Sequence, residues 1–194
     1  MITPLKDYFS KDDNSLVRQA RKGDIGAFEE LVARHRDKLF TRAFSIIRNV
    51  EEAIDITQKA WVEGWQGLPR FDGDSGFGAW MMRIVIGLCV AQIRKEKPRR
   101  AECCEESDED GIDGNRHVRT VTSNPSMRRE PAELRQRMDQ ALGQLSHENR
   151  TVLVLHELEK MEYKEIARIM GCSVGAVTSK LLYARRKIAA LLDN

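Results

Sequence analysis

The chain has 194 residues, 41% apolar and 32% charged, with a formal net charge of +2, a length that allows one domain or two small ones, each with its own core. So balanced a charge does not by itself argue for a nucleic-acid partner, and the four cysteines (Cys89, Cys103, Cys104, Cys172) follow neither a disulfide framework nor a zinc-finger spacing. The longest apolar run, Ile84 to Ala91, is far short of the ~20 residues a bilayer span needs, and the polar opening from Met1 to Asn14 is not a signal peptide, so the expectation is a cytoplasmic protein with reduced thiols.

Helical periodicity dominates from the start. Ser15 to Lys22 reads as a short basic helix ending at Gly23, and Phe28, Leu31, Val32, Leu39, Ala43, Ile46 and Ile47 form the apolar stripe of a long second helix. Glu51 and Glu52 open a third, acids being favourable near a helix N-terminus. Its inward face is Ala53, Ile56, Ala60 and Trp61. Leu68 to Gly78 reads as a loop, marked by Pro69, Gly73, Gly76 and Gly78. A fourth helix is expected from about Ala79 to Lys95, stopping before Pro98.

From Pro98 to Pro131 periodicity is lost. The block Glu102 to Asp113 holds seven acids and no base, the composition of a loosely ordered linker. Apolar spacing returns at Leu134, Met138, Ala141, Leu142 and Leu145, and a further helix is expected over His147 to Leu158. The expected architecture is therefore all-α: two small helical domains, residues 1–97 and 132–194, joined by an acidic linker over 98–131.

The final stretch carries the most specific signal. A short helix from Tyr163 to Met170 ends at Gly171, and a tight turn, Gly171-Cys172-Ser173, leads into a second helix. That helix turns Val174, Val177, Leu181, Ala184, Ile188 and Leu191 inward and is basic outside. Two helices joined by a three-residue turn containing glycine, the second one basic, make a helix-turn-helix reader of the DNA major groove. The basic character is local, at Arg94 to Arg100 and Lys180 to Lys187.

With both halves read, the chain resembles the extracytoplasmic-function (ECF) sigma factors, the two-domain promoter-specificity subunits of bacterial RNA polymerase. The resemblance rests on Gly23-Asp24 with AFEELVARH (Ala27 to His35), NVEEAIDITQKAWVEGW (Asn49 to Trp65) and LPRFDGDSGFGAWMMRI (Leu68 to Ile84). In the second half it rests on LSHENRTVLVLHELEKMEYKEIARIMGCSVGAVTSKLLYARRKI. It implies a sigma region 2 domain, then the linker, then a sigma region 4 domain, and a factor that directs core polymerase to −35 and −10 promoter elements and helps melt the start.

The resemblance also implies site residues and partners. Glu51, Glu52, Asp55 and Gln58 would meet basic groups of the polymerase clamp helices, with Trp61 and Trp65 as apolar anchors. Phe71, Asp74, Ser75, Phe77 and Trp80 are candidates to hold an extruded −10 base, as stacking and edge hydrogen bonds would. Arg83, Arg94 and Lys95 would neutralise phosphate. Of Phe77 and Trp80, Phe77 is the better candidate for DNA and Trp80 for the core. Where the family commonly carries asparagine and aspartate this chain has Gly87 and Ala91, and Gly87 in mid-helix points to a close approach of another backbone or strand, or to a kink. For the −35 element, Ser173 would cap the recognition helix. Ala176, Thr178, Ser179, Lys180 and Tyr183 would lie at the bases, and Arg185 and Arg186 at phosphate.

Core RNA polymerase (clamp helices of the largest subunit and the flap), promoter DNA and an anti-sigma factor are the implied partners. The anti-sigma factor would cover both DNA surfaces and could hold the chain at the membrane, in a stress-response setting. The acidic linker would thread toward the polymerase interior. No cofactor, metal site or catalytic residue is expected: no P-loop, His-rich metal motif or Ser/His/Asp set is legible. Adjacent Cys103 and Cys104 with His117 read as spacer groups rather than a sensor, and His35, His147 and His156 as structural. The alternative function is a stand-alone helix-turn-helix regulator, which would have no use for an acidic docking helix.

Overall fold

The computed structural model describes residues 8–73, 75–101 and 132–192, and every regular element among them is helical. The eight α-helices are α1 (Asp13–Ala20), α2 (Ile25–Ile47), α3 (Val50–Gly67), α4 (Phe77–Ala101), α5 (Ala132–Gly143), α6 (His147–Glu157), α7 (Tyr163–Met170) and α8 (Val174–Leu192), with one 3₁₀ turn at Leu68–Arg70. The chain divides into two compact units, the first made of residues up to Phe44 and Val50–Cys89, the second of Ser45–Asn49 and Val90 onward.

The core of the first unit gathers one stripe from each helix: Leu16, Val17 and Ala20 of α1, Ala27, Leu31, Leu39 and Ala43 of α2, Ala53, Ile56 and Ala60 of α3, and Phe77, Met81, Val85 and Cys89 of α4. Two close approaches fix the packing. A side chain at Gly64 would lie 2.5 Å from the Met81 sulfur, so α4 reaches α3 only because position 64 lacks a Cβ. Arg34 binds the segment ahead of α1 onto α2: it donates to the carbonyl oxygens of Tyr8 (3.0 Å) and Lys11 (2.7 Å) and pairs with Asp13 and Glu30.

α4 differs from its expectation at both ends. It starts at Phe77, directly after Gly76 (φ 72°), and runs through Pro98 to Ala101. A proline removes one i→i−4 bond and crowds the carbonyl four residues back, but the helix continues for another turn. Its stretch from Phe77 to Lys95 is long and apolar enough to cross a membrane, with a mean hydropathy of 1.3. Phe77, Met81, Met82, Val85, Ile86 and Cys89 are instead buried. Burial pushes the Cys89 thiol up to about 12, because the low-dielectric surroundings disfavour the thiolate.

In the second unit α8 packs on α5, α6 and α7. Val152, Val154, Leu155, Ile166, Val177, Leu181 and Ala184 fill that core. Arg150 is buried with them, and its guanidinium donates to the carbonyl oxygens of Leu142 (2.7 Å) and Leu145 (2.7 Å), closing the corner between α5 and α6. A cation there also meets the negative end of the α5 dipole. Arg137 donates to the Leu192 carbonyl at the far end of α8.

Candidate docking and nucleic-acid surfaces

On α3 the buried residues Ala53, Ile56, Thr57, Ala60 and Gly64 recur at helical spacing, which turns the opposite face outward. Glu51, Asp55 and Gln58 are exposed on it and Glu52 is half-buried. Between them stand two apolar side chains that the sequence reading did not single out, Ile54 (41% exposed) and Val62 (57%). Asp55, Gln58, Lys59, Val62 and Glu63 line a shallow groove along this face. Trp65 is also exposed and rests edge-on against Phe28, with ring centroids 4.9 Å apart. Trp61 is half-buried between Phe28 (6.0 Å) and Phe77 (6.5 Å). The face is therefore a mixed one, with exposed apolar side chains among acids and Lys59.

The loop before α4 corrects the expectation for two aromatic residues. Phe77 is 1% exposed and Phe71 3% exposed, so neither offers a face to a base. Phe77 is the first residue of α4 and points into a ring cluster of His35 (5.5 Å), Trp80 (5.9 Å) and Phe71 (6.2 Å). His35 is held over it by a 2.7 Å contact from its Nε2 to Asp13. Phe71 lies under the Arg21 guanidinium, 5.9 Å from the ring centre, and Arg21 itself donates to the Leu68 carbonyl. Trp80 is half-buried where Phe77 is fully buried, the reverse of the order expected from sequence. Ser75 is half-buried, and Asp74 lies outside the described residues.

At 3.6 residues per turn Trp80, Arg83, Gly87, Ala91 and Arg94 fall on one side of α4. Arg83, Gly87, Ala91, Arg94 and Lys95 are all exposed. A side chain at Gly87 would meet nothing within 4 Å, so the chain itself makes no close approach there. Around Gly87 the side is open, with a partly exposed indole at its head, while Arg94 toward its far end donates to the Ile169 carbonyl at 2.9 Å.

The helix-turn-helix has the expected bounds. Gly171 closes α7 in the left-handed conformation (φ 65°, ψ 38°), its N–H bonded to the Ala167 carbonyl, a cap that glycine adopts without strain. Ser173 caps α8 through its hydroxyl, which accepts from the Ala176 N–H at 3.1 Å. Val177, Leu181 and Ala184 face the core, but Val174 is 42% exposed, a correction to the inward stripe: in the first turn of α8 it extends beyond the end of that stripe.

Among the expected readers, Thr178, Ser179, Arg185 and Arg186 are exposed, and Ala176, Lys180 and Tyr183 half-buried. The Thr178 hydroxyl bonds back to the Val174 carbonyl (3.0 Å), and Lys187 Nζ donates to the Tyr183 hydroxyl (3.3 Å). Lys180 pairs with Glu148 at 2.6 Å, and Arg185 with Glu157 at 2.6 Å. The Arg185 guanidinium holds the Glu157 carboxyl below the usual range and is itself held above its own by that carboxylate. These pairs cross from α8 to α6 and had no signal in the sequence, because they depend on how two helices pack. Cys103, Cys104, His117 and the acidic block from Glu102 to Asp113 lie outside the described residues. Among the described residues no cluster of His, Cys, Asp and Glu could hold a metal ion.

Known proteins share both halves of this arrangement. Residues 31–99 match the family described as Sigma-70 region 2, and residues 135–188 the family Sigma-70, region 4. The chain is 30% identical over 185 residues to the RNA polymerase sigma-H factor of Pseudomonas aeruginosa, covering 94% of this chain and 95% of that protein. It is 31% identical over 180 residues to the ECF RNA polymerase sigma-E factor of Escherichia coli K12, covering 91% and 92%. Among solved structures it is similar to CnrH in complex with the cytosolic domain of CnrY, with a TM-score of 0.54, 30% identity and coverage of 93% and 97%. It shares its fold with the sigma factor RpoE of Bartonella quintana, solved with the anti-sigma factor NepR, at a TM-score of 0.54, 21% identity and coverage of 86% and 96%. The chain belongs to the extracytoplasmic-function sigma factors of RNA polymerase.

Proposed function

We propose that this sigma factor divides its work among three surfaces: the outward face of α3 docks on the clamp helices of core polymerase, the open side of α4 follows the melted −10 strand, and α8 reads the −35 element. The observation that carries the reading is the α3 face, where Ile54, Val62 and Trp65 stand exposed among Glu51, Asp55 and Gln58. Exposed apolar side chains ringed by acids favour a protein partner with a basic surface, and a free-standing regulator has no use for them.

On α4, Trp80 would stack on an unpaired base, and Arg83, Arg94 and Lys95 would hold phosphate. Gly87 leaves room for the strand where a longer side chain would stand. Phe71 and Phe77 would act only by supporting Trp80. On α8, Ser173, Ala176, Thr178, Ser179 and Tyr183 would approach the bases, with Arg186 beside them, and Lys180 and Arg185 at the flanks. Residues 1–97 would act as the region 2 domain, 98–131 as the linker carrying acids into the polymerase interior, and 132–194 as the region 4 domain, also touching the flap. The chain would need no catalytic centre of its own, since the chemistry of RNA synthesis is the polymerase's. It would work in the cytoplasm, and an anti-sigma factor covering the α4 and α8 surfaces could hold it at the membrane.

Purified chain, core polymerase and a pool of promoter-length duplexes test the reading together. Retention of DNA by the mixture, and by neither component alone, is the expected result and yields the promoter sequence. Specific duplex binding by the chain alone, with no affinity for core, would replace the proposal with a stand-alone regulator.

A further inference from the structure

Lys180 and Arg185 lie on opposite flanks of the apolar stripe of α8. Measured from the buried Val177, Leu181 and Ala184, each falls about 70° from the centre of the stripe, one to either side. Ser179, Leu182 and Arg186 fall opposite the stripe, and all three are exposed. α6 meets each flank with an acid. Glu148, in its first turn, accepts from Lys180 Nζ at 2.6 Å. Glu157, its last residue, accepts from Arg185 Nε at 2.9 Å and Nη2 at 2.6 Å. The two clasps thus sit at the two ends of α6. Neither is sealed from water: the side chains are 29% and 31% exposed in one pair, 48% and 39% in the other. Both can therefore exchange their carboxylate for another anion.

We propose that Glu148 and Glu157 are built-in competitors for DNA phosphate. They keep Lys180 and Arg185 on α6 and leave the outer ridge of α8 to Ser179, Leu182 and Arg186. Cation–phosphate contacts supply affinity without sequence information. Withholding two of them makes binding depend more on the side chains that meet base edges, so the acids of α6 act as specificity-determining residues that never touch DNA. The inference rests on α8 reading the −35 element, as proposed above.

The test uses the full chain assembled with core polymerase, a duplex bearing the −35 element and a scrambled duplex, with affinity followed across a salt series. For the E148Q/E157Q variant we expect log K on the scrambled duplex to fall more steeply with log salt, by roughly one unit of slope per released cation and about two in all. The ratio of −35 to scrambled affinity should drop at low salt. In the unaltered background K180M/R185M should lower the slope by less than about half a unit, whereas added to the glutamine variant it should remove the slope that was gained. A glutamine variant with unchanged slope and ratio overturns the proposal. So does a loss of about two units on K180M/R185M alone, since those cations would then already sit on phosphate, and this arm stands even where the glutamine variant folds poorly. S179A/R186A separates the two levels. If it leaves −35 discrimination intact, α8 is not the reader; if it abolishes discrimination while the glutamine variant changes nothing, only the competition fails.

Discussion

α3 and α8 are both amphipathic, and they depart from the simplest pattern in opposite ways. α3 turns large apolar side chains outward, with Val62 at 57% and Ile54 at 41% exposed among acids. α8 draws cations back toward the protein, with Lys180 and Arg185 paired to α6. A helix that meets another protein gains from apolar area that becomes buried on contact. A helix that meets DNA gains its affinity from charge, and charge is also what makes it bind indiscriminately. Charge on the helix wheel thus marks candidate surfaces without showing which side chains stand exposed on them.

The largest effect should come from Phe77, a buried support of the ring cluster rather than part of either surface. Phe77→Ala should destabilise the first unit by about 3–5 kcal/mol, the usual range for a buried phenylalanine, in chemical denaturation. A loss below about 1 kcal/mol would return Phe77 to the DNA-facing set. Next comes the α3 face: Ile54→Asp or Val62→Asp should weaken core polymerase binding by at least about tenfold while moving stability by only about 0.5 kcal/mol. If Glu51→Gln and Asp55→Asn together cost more affinity than either change, the apolar strip is not the anchor.

Ser173→Ala removes the cap of α8 and should cost about 1 kcal/mol, read as a lower melting temperature of the second unit. The smallest effect has the opposite sign. Gly87→Ala meets open space and should stabilise the chain by roughly 0.5–1 kcal/mol. If promoter opening falls despite that gain, the gap on α4 belongs to the DNA strand.

Much of the fold was legible because periodicity survives any tertiary context. α7 could be bounded from Tyr163 to Met170 since its apolar spacing and the glycine after it agree. The first-turn residues were not legible: Phe77 and Val174 each open a helix, where the stripe is too short to fix which way a side chain points. Trp80, one turn into α4, could be placed on the side of Arg83 and Arg94 by counting, but its partial exposure depends on how the loop folds over it. Ile54 and Val62 were visible in principle, being off the stripe of Ala53, Ile56 and Ala60, but the acids drew the reading away from them. The Lys180 and Arg185 pairs could not have been read at all, since their partners lie 32 and 28 residues earlier in the chain. The Glu157 clasp also sets a pH window. Its carboxyl is held below the ordinary range, so the stability it contributes is present above that range and is lost as the pH falls through the lowered value.

Besides one long-range bond to the Ile46 carbonyl, the Arg150 guanidinium donates to the carbonyl oxygens of Leu142, Gly143 and Leu145, five to eight residues back along the chain. Bonds of such short span close at little entropic cost, and local contacts are those that form fast. The corner between α5 and α6 can thus assemble before α8 arrives, offering the last helix a finished bed on which to lie.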